Sequence, residues 1–534
     1  MTVTTPTGPS SAVDLSRLWG VRVVPGTYAR HPGLVHEPRP RRLLELFAGT
    51  ARWADRDLLV QGDRRLTHGE FQQAVPAAAA LLREQGVQPG QHVLVLSYNR
   101  LEFPLVVWAC WWLGAVPVLG NRWWGPEELQ HALALAQPVL SVSDLPDPSP
   151  LAAHLPIESF SDPAAHRSPP AAHEPGSEDE PALVLFTSGS SGLPKGVVLS
   201  QRSVIANQHN LLRRSRRLPQ DLDSDAQQAV TLVCTPLFHI GGVSNILTAV
   251  ITGARLVLTE GRFDPAQVLE LIERERVQTW GGVPTMAVRV LEHPDLGRRD
   301  LSSLRSWPLG GAPLPPSLLE RMTTALPQLA ERGLANTWGM TESGGFVTVA
   351  GNADLRERPG TVGRPYPCAE LRIDQPDTGG VGEILLRSPT VMLGYLGVDD
   401  GTVDSEGWLR TGDLGHLDAD GYLYLDGRSK DIVIRGGENI ACASVEAALL
   451  AHPDVVEAAA FGVPHEELGE ELVAVVRCRD GAAVTAEQLS RHLRDRLAYF
   501  AVPTQWEITQ DPLPTLAGEK VDKRSLRAGF ATGT

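Results

Sequence analysis

Cysteine is scarce in this chain: Cys110, Cys234, Cys368, Cys442 and Cys478 are all it has in 534 residues. The number is odd, the spacing is wide and no CxxC pair occurs. That excludes a disulfide framework and a cysteine-built zinc site, and it suits reduced thiols in a cytoplasmic protein. An excess of positive charge is also lacking. The 63 acidic residues outnumber the 48 basic ones, giving a net charge of −15. Such a surface repels nucleic-acid phosphates and anionic lipid, so neither is an expected partner. The opening MTVTTPTGPSSAVD carries neither a basic nor an apolar segment, so no secretory leader is expected. No repeat is visible, and 51 glycines and 42 prolines follow no collagen-like period.

What is present is enough chain for three or four structural units and a large core. Phe103–Gly120 (FPLVVWACWWLGAVPVLG) is uncharged, but Pro104, Gly114 and Pro117 interrupt it. It reads as a buried helix running into a strand, not as a membrane span. Residues 1–12 are expected to be disordered. Residues 41–54 read as a helix, LLVQGDRRLT as a strand pair, GEFQQAVPAAAALLREQG as a helix and HVLVLS as a strand. Residues 142–181 read as an exposed excursion, with His154, His166 and His173 as solvated loop residues. The basic run Arg213, Arg214, Arg216 and Arg217 reads as a solvated loop. Alternating helices and apolar strands indicate an α/β fold. A boundary at 428–430 divides an N-terminal domain, 13–428, from a smaller α+β C-terminal domain, 429–534.

The strongest signal follows Leu183-Val-Leu-Phe186, an apolar strand. Next comes Thr187-Ser188-Gly189-Ser190-Ser191-Gly192-Leu-Pro-Lys195-Gly196. Glycines let the backbone come close to a ligand, and successive N–H groups form an anion nest. The hydroxyls add donors and Lys195 adds charge. The spacing is not that of the common NTPase loop, yet the strand, loop and lysine together indicate phosphate binding.

This loop resembles the signature of the adenylate-forming (AMP-binding) superfamily, whose members include acyl-CoA synthetases. Further segments resemble that family's motifs in the same order: Gly310-Gly311-Ala312-Pro313-Leu314, Asn336-Thr-Trp338-Gly339-Met-Thr341-Glu342, Gly382-Glu383 through Gly394-Tyr395, Gly407 through Asp413, Gly427-Arg428-Ser-Lys430-Asp431 and Gly436-Gly437-Glu-Asn-Ile440. Lys520 stands where the family has its terminal catalytic lysine, with Lys523 as the competing candidate.

The resemblance implies ATP-dependent conversion of a carboxylic acid to an acyl-adenylate with release of pyrophosphate. Transfer to CoA then gives acyl-CoA and AMP. The alternative is a stand-alone adenylating enzyme that serves a carrier protein, an amine or nitrite. Charge neutralisation and positioning are the catalytic needs. The resemblance assigns Lys520, Thr341, Glu342 and Lys195 to catalysis, with Glu342 holding Mg²⁺. It assigns the 187–192 loop, Gly311, Ala312, Pro313, Asn336, Trp338, Gly339, Thr341, Asp413 and Arg428 to ATP or AMP. Asp413 suits the ribose hydroxyls, and the Trp338 face suits adenine. His239, Gly242, Trp280, Trp307, Gly344 and Gly345 are placed around an apolar acid: fatty, aryl or polyketide-like. Lys430 is assigned to the hinge of a mobile C-terminal domain, and Gly436 and Gly437 to a tunnel for the CoA arm.

Two departures stand out. Cys442 and Ser444 replace the family's Pro and Glu after the hinge, with Ser444 able to cap the next helix. Glu519 replaces the glycine before the catalytic lysine, where it could pair with Lys520 or repel incoming anions. Cys442 has no histidine partner in sequence and reads as inert.

Overall fold

The computed structural model describes residues 14–146, 152–162, 168–188, 193–312, 314–398, 401–428, 431–435, 438–465, 467–516 and 519–531. The expectations placed on residues 1–12, His166, Gly189, Ser190, Ser191, Gly192, Pro313, Lys430, Gly436 and Gly437 lie outside these residues, as does the Ser188 side chain.

The uncharged stretch folds as read. The Glu102–Leu113 helix is buried on every side, and strand Val116–Leu119 follows it. Among the described residues, no helix is long and apolar enough to cross a membrane. That strand lies in a seven-stranded sheet, parallel to His92–Leu96 on one side and to Pro181–Ser188 on the other. Leu183, Val184 and Leu185 are almost fully enclosed, as a run covered on both faces requires. Pro194–Ser200 then turns back antiparallel on Pro181–Ser188.

A second sheet of five strands is built on Val230–Val233, Arg255–Leu258 and Asp57–Gln61. A third, of eight strands, is antiparallel except for its first pair. From Ile432 onward the chain forms a separate five-stranded sheet. It packs its own core of Val433, Val445, Leu449, Leu472, Val476 and Leu489. Layered sheets and helices in a large N-terminal part, with a smaller α+β part after it, are the architecture expected.

Several local expectations need correction. Residues 41–54 form two short 3₁₀ turns, Leu43–Phe47 and Thr50–Trp53, instead of one helix, because Gly49 separates them. The 142–181 excursion is partly packed. Strand Ala153–Pro156 adds to the seven-stranded sheet, and the next turn drives Ile157 and Phe160 into the core. His154 lies 3.0 Å from the Ser143 hydroxyl, and the His173 N–H donates to the Trp112 carbonyl at 2.8 Å. Neither is a solvated loop residue. Arg213 and Arg214 end the Gln201–Arg214 helix, where cations complement its dipole. Arg217 lies 3.4 Å from the Thr252 hydroxyl. Ser444 caps nothing: the helix begins at Cys442 with Ala441 as its cap. All five cysteines are buried and free, and burial pushes the Cys442 thiol up to about 12, so it is inert.

Candidate active site

Strand ends from these sheets converge on one cleft of about 2300 Å³. That exceeds the roughly 300–1,000 Å³ of an ordinary small-molecule pocket. It has room for a nucleotide and a second substrate together.

One end gathers hydroxyls, a carboxylate and a lysine. Thr187 and Lys195 are opposite each other across the antiparallel strand pair, so both side chains leave the same face. Thr341 and Glu342 sit at the tip between strands Leu334–Met340 and Gly345–Gly351. The Ser343 hydroxyl ties that tip, accepting from the Met340 N–H at 2.9 Å and donating to the Gly345 carbonyl at 2.7 Å. Glu342 Oε1 then accepts from the Tyr395 hydroxyl at 2.9 Å and from Thr187 Oγ1 at 3.5 Å. Lys195 Nζ lies 4.4 Å from the centre of the Tyr395 ring. Tyr395 thus organises this end. The sequence offered it only as the last letter of a motif.

A second cluster surrounds Asp413. It is paired with Arg428 across adjacent antiparallel strands, and Oδ1 accepts from Arg428 Nε at 2.9 Å. Oδ2 accepts from the Trp338 indole N–H at 2.7 Å. Besides any face it offers a base, Trp338 fixes a buried carboxylate through its N–H. Asn336 lines the cleft, but its amide is committed to the Thr361 carbonyl at 3.0 Å. Gly339 also lines the cleft. A side chain there would meet the Gly345 backbone.

Lys520 reaches the cleft from the C-terminal part. Its Cε and Nζ come within 3.2 and 3.4 Å of where a Cβ on Gly311 would be. Gly311 has φ +76, so a side chain there would be strained as well as in the way. Gly311 and Ala312 line the cleft beside it. Lys520 is open to the cleft yet walled by protein, and this enclosure lowers its pKa. The Arg428 charge adds to the lowering, while Asp413 and Glu342 oppose it. Lys523, the competing candidate, is engaged in ion pairs: its Nζ is 2.7 Å from Glu446 and 3.9 Å from Asp431. Among the described residues Glu519 makes no pair with Lys520. It bonds Arg289 at 2.5 Å.

The other end of the cleft runs along the Ile240–Thr252 helix, which begins after His239. Ile240, Gly241, Ser244, Asn245 and Thr248 face it, the spacing of one helix face. From Ile240 to Thr248 that face is roughly 12 Å long. Asn207 bonds Ser244, Gln208 bonds Thr248 and Arg217 bonds Thr252. The two helices therefore run side by side, which sets Leu211 and Arg214 at the distal end. Phe346 and Tyr366 line the cleft as well. His239 Nε2 is buried without a hydrogen-bond partner among the described residues. Burial lowers this imidazole to about 4, with Lys520 adding to the effect, so it is neutral at pH 7.

Four expected pocket residues are corrected here, together with Trp307. Trp280 is fully buried, with its N–H on the Cys234 sulfur at 2.9 Å and its ring 4.5 Å from that of Trp307. Both tryptophans back the wall without forming it. Gly344 and Gly345 are packed at the strand tip, where side chains would meet the Thr390 carbonyl and, at 2.8 Å, the Asn207 amide. A Cβ on Gly242 would lie 2.6 Å from Leu237 Cα and 2.7 Å from the Pro236 carbonyl. Gly241, its neighbour, faces open space.

That contrast yields a paired prediction. Gly241→Val will raise the KM for the acid by about tenfold or more, the scale of added methylenes in a fitted pocket, with thermal stability kept. Gly242→Ala will instead lose about 1–3 kcal/mol of stability through overpacking. Acid-dependent initial rates and thermal melts check both. An unchanged acid KM in Gly241→Val would remove this helix face from the acid site.

Comparisons with known proteins bear on this geometry. Residues 46–396 match the AMP-binding enzyme family, and residues 444–520 match the AMP-binding enzyme C-terminal domain. A feruloyl-CoA synthase from Amycolatopsis sp is 35% identical over 88% of this chain and 95% of its own. The o-succinylbenzoate CoA synthetase of Bacillus subtilis, solved with its acyl-adenylate intermediate, aligns with TM-score 0.78 and 28% identity. That alignment covers 92% of this chain and 98% of the other. Another structure of the same synthetase holds ATP and a magnesium ion, with TM-score 0.77 and 28% identity over 91% and 99% of the two chains. The amide bond synthetase McbA from Marinactinospora thermotolerans aligns with TM-score 0.77 and 31% identity over 91% and 99%.

Proposed function

The chain belongs to the AMP-binding enzyme family and is an AMP-forming acid–CoA ligase, and from that premise we propose that its acid is an aromatic one. The observation that carries this reading is the helix face just described. It spans only about two turns, bears no carboxylate to hold an α-ammonium group, and ends among Leu211, Arg214 and Tyr366. A ring with a short arm fits that length. Feruloyl and o-succinylbenzoyl, the groups named for two relatives, are both aromatic acyl groups.

In the first half-reaction a carboxylate oxygen of the acid attacks the α-phosphorus of ATP. The bond to pyrophosphate breaks and the acyl-adenylate forms. We assign Lys520 and Thr341 to the charge that accumulates between carboxylate and α-phosphate. Lys195 and the loop that starts at Thr187 serve the β- and γ-phosphates. Glu342, with the Thr187 and Tyr395 hydroxyls, presents hard oxygen donors that fit Mg²⁺. When bound, that ion supplies positive charge against the triphosphate. Asp413 and Arg428 serve the ribose. In the second half-reaction the CoA sulfur attacks the acyl carbonyl and AMP leaves. The C-terminal part, pivoting at Lys430, withdraws Lys520 and brings Gly436 and Gly437 to the pantetheine arm. The five reduced cysteines suit a cytoplasmic site of action.

Incubation with ATP, Mg²⁺ and matched panels of aromatic and fatty acids tests this, with pyrophosphate release and product mass as readouts. The expected product is an aryl-CoA, formed with CoA-dependent AMP release. Turnover of fatty acids alone would overturn the aromatic assignment. The likeness to an amide bond synthetase supports a second reading, in which the adenylate passes to an amine. Parallel reactions with an amine or an acyl carrier protein in place of CoA distinguish these acceptors.

A further inference from the structure

Glu519 holds a backbone conformation that favours glycine, φ +59, immediately before Lys520. The turn around it is closed. The Glu519 N–H donates to the Leu516 carbonyl at 2.8 Å, and the Leu516 N–H donates to the Lys520 carbonyl at 2.8 Å. Thr515 and Val521 are bridged across it. At its tip Glu519 Oε2 meets Arg289 Nη1 at 2.5 Å, and neither side chain is more than a quarter exposed. Thr515 Oγ1 donates to the same oxygen at 3.4 Å. Arg289 belongs to the Pro284–Leu291 helix of the large part. Just beyond that helix, Glu292 pairs with Arg477 of the C-terminal sheet at 3.0 Å, and Arg477 lies 3.6 Å from Glu457. Arg262 and Glu457 are the other charges acting on Glu519.

We propose that Glu519 and Arg289 are a positioning pair that holds the C-terminal part in the pose that presents Lys520 to the cleft. This rests on the assignment of Lys520 to adenylate formation. The residue before the lysine is the natural place for such a hold. A carboxylate there fixes the peptide from which Lys520 projects, whereas glycine would leave it loose. A half-buried two-centre ion pair is also reversible as a unit. It must break when Lys520 withdraws, so it weights the enzyme toward the first half-reaction.

The test separates the half-reactions in the full-length enzyme. Acid-dependent ATP–pyrophosphate exchange reads the first. Single-turnover thioester formation from a synthetic aryl-adenylate and CoA reads the second. Glu519→Gln and Arg289→Met are each expected to cut exchange by about 10- to 100-fold, the scale of a small misplacement of a catalytic group. The loss should fall on kcat and spare the KM for ATP. Thioester formation should hold or rise. The double variant should lose no more than the worse single one, as a coupled pair requires. Arg289→Lys, which keeps the charge, should retain at least about a third of the exchange rate.

Exchange within about threefold of the unmodified enzyme in both single variants would overturn the proposal, since misplacement costs far more. So would multiplicative losses in the double variant or equal losses in both half-reactions. Lys520→Ala, run alongside, keeps the two ideas apart. If it leaves exchange intact, the assignment of Lys520 has failed. If it abolishes exchange while the pair variants do not, only the positioning role has failed.

Discussion

Replacing Lys520 with alanine will slow adenylate formation by roughly two to four orders of magnitude, the scale of a lost electrostatic stabiliser, while thioester formation from a supplied adenylate largely survives. The asymmetry follows from where the ammonium sits. It lies beside Gly311, within the influence of Asp413, Glu342 and Arg428. A carboxylate and a triphosphate that must approach each other there repel, and a mobile cation between them offsets that repulsion. Thioester formation brings a neutral acyl carbonyl to sulfur and does not need it. Equal loss in both steps would contradict the assignment. The sign of the pH dependence is also fixed. Enclosure, with Arg428 adding, lowers the Lys520 pKa, so the ammonium is lost at a lower pH than for an ordinary lysine, about 10.4. Adenylation will therefore fall on an alkaline limb below that value. Lys520→Arg, weaker at neutral pH because its fork is planar, will move the limb upward or remove it.

Asp413→Ala will raise the ATP requirement by about 10- to 100-fold, equivalent to about 1.5–3 kcal/mol for hydrogen bonds to a charged group. Initial pyrophosphate-release rates across an ATP series measure it, and an unchanged KM for ATP would take Asp413 off the ribose. A stability loss will accompany the kinetic one. The substitution strips the partner from the Trp338 N–H, and a buried unsatisfied donor costs about 1–3 kcal/mol. Arg428 adds little to that loss, because its side chain is 60% exposed and water can solvate it. Asp413→Asn keeps an acceptor for Trp338 but gives up the ion pair, so its melt will lie nearer the unmodified enzyme than that of Asp413→Ala.

Much of the chemistry was readable along the chain. Thr341, Glu342, Asp413 and Lys520 each stand in a segment that resembles a motif of the AMP-binding family, and the resemblance implies their roles, while the phosphate loop shows in its glycines, hydroxyls and Lys195. A further signal was available. The chain has only four lysines, Lys195, Lys430, Lys520 and Lys523, among its 48 basic residues. The resemblance implies roles for Lys195, Lys430 and Lys520, and Lys523 competes with Lys520 for the last of them. With arginine used everywhere else, each lysine stands out as a compact, flexible ammonium, though Lys523 is engaged by Glu446.

The pocket was less readable, because a motif near a cavity does not say which side chain turns toward it. Trp280 and Gly242 lie next to lining residues and face away. Gly241 is open by one position of helix rotation. Ser444 has the residue type of a cap, but the helix starts two residues earlier, at Cys442. Glu519 was visibly unusual, but its partner is 230 positions away, and local spacing carries no information about that distance.

By itself the sequence indicated the fold class, through alternating helices and apolar strands, and the reaction type, through segments that resemble one family's motifs in order, because both rest on short local patterns. The tertiary structure alone decided the partners. Trp338 joined Asp413, Tyr395 joined Glu342, Arg289 joined Glu519, and one face of a two-turn stretch of helix came to line the cleft. Those outcomes depend on how separate sheets pack against one another, and packing is a property of the whole chain.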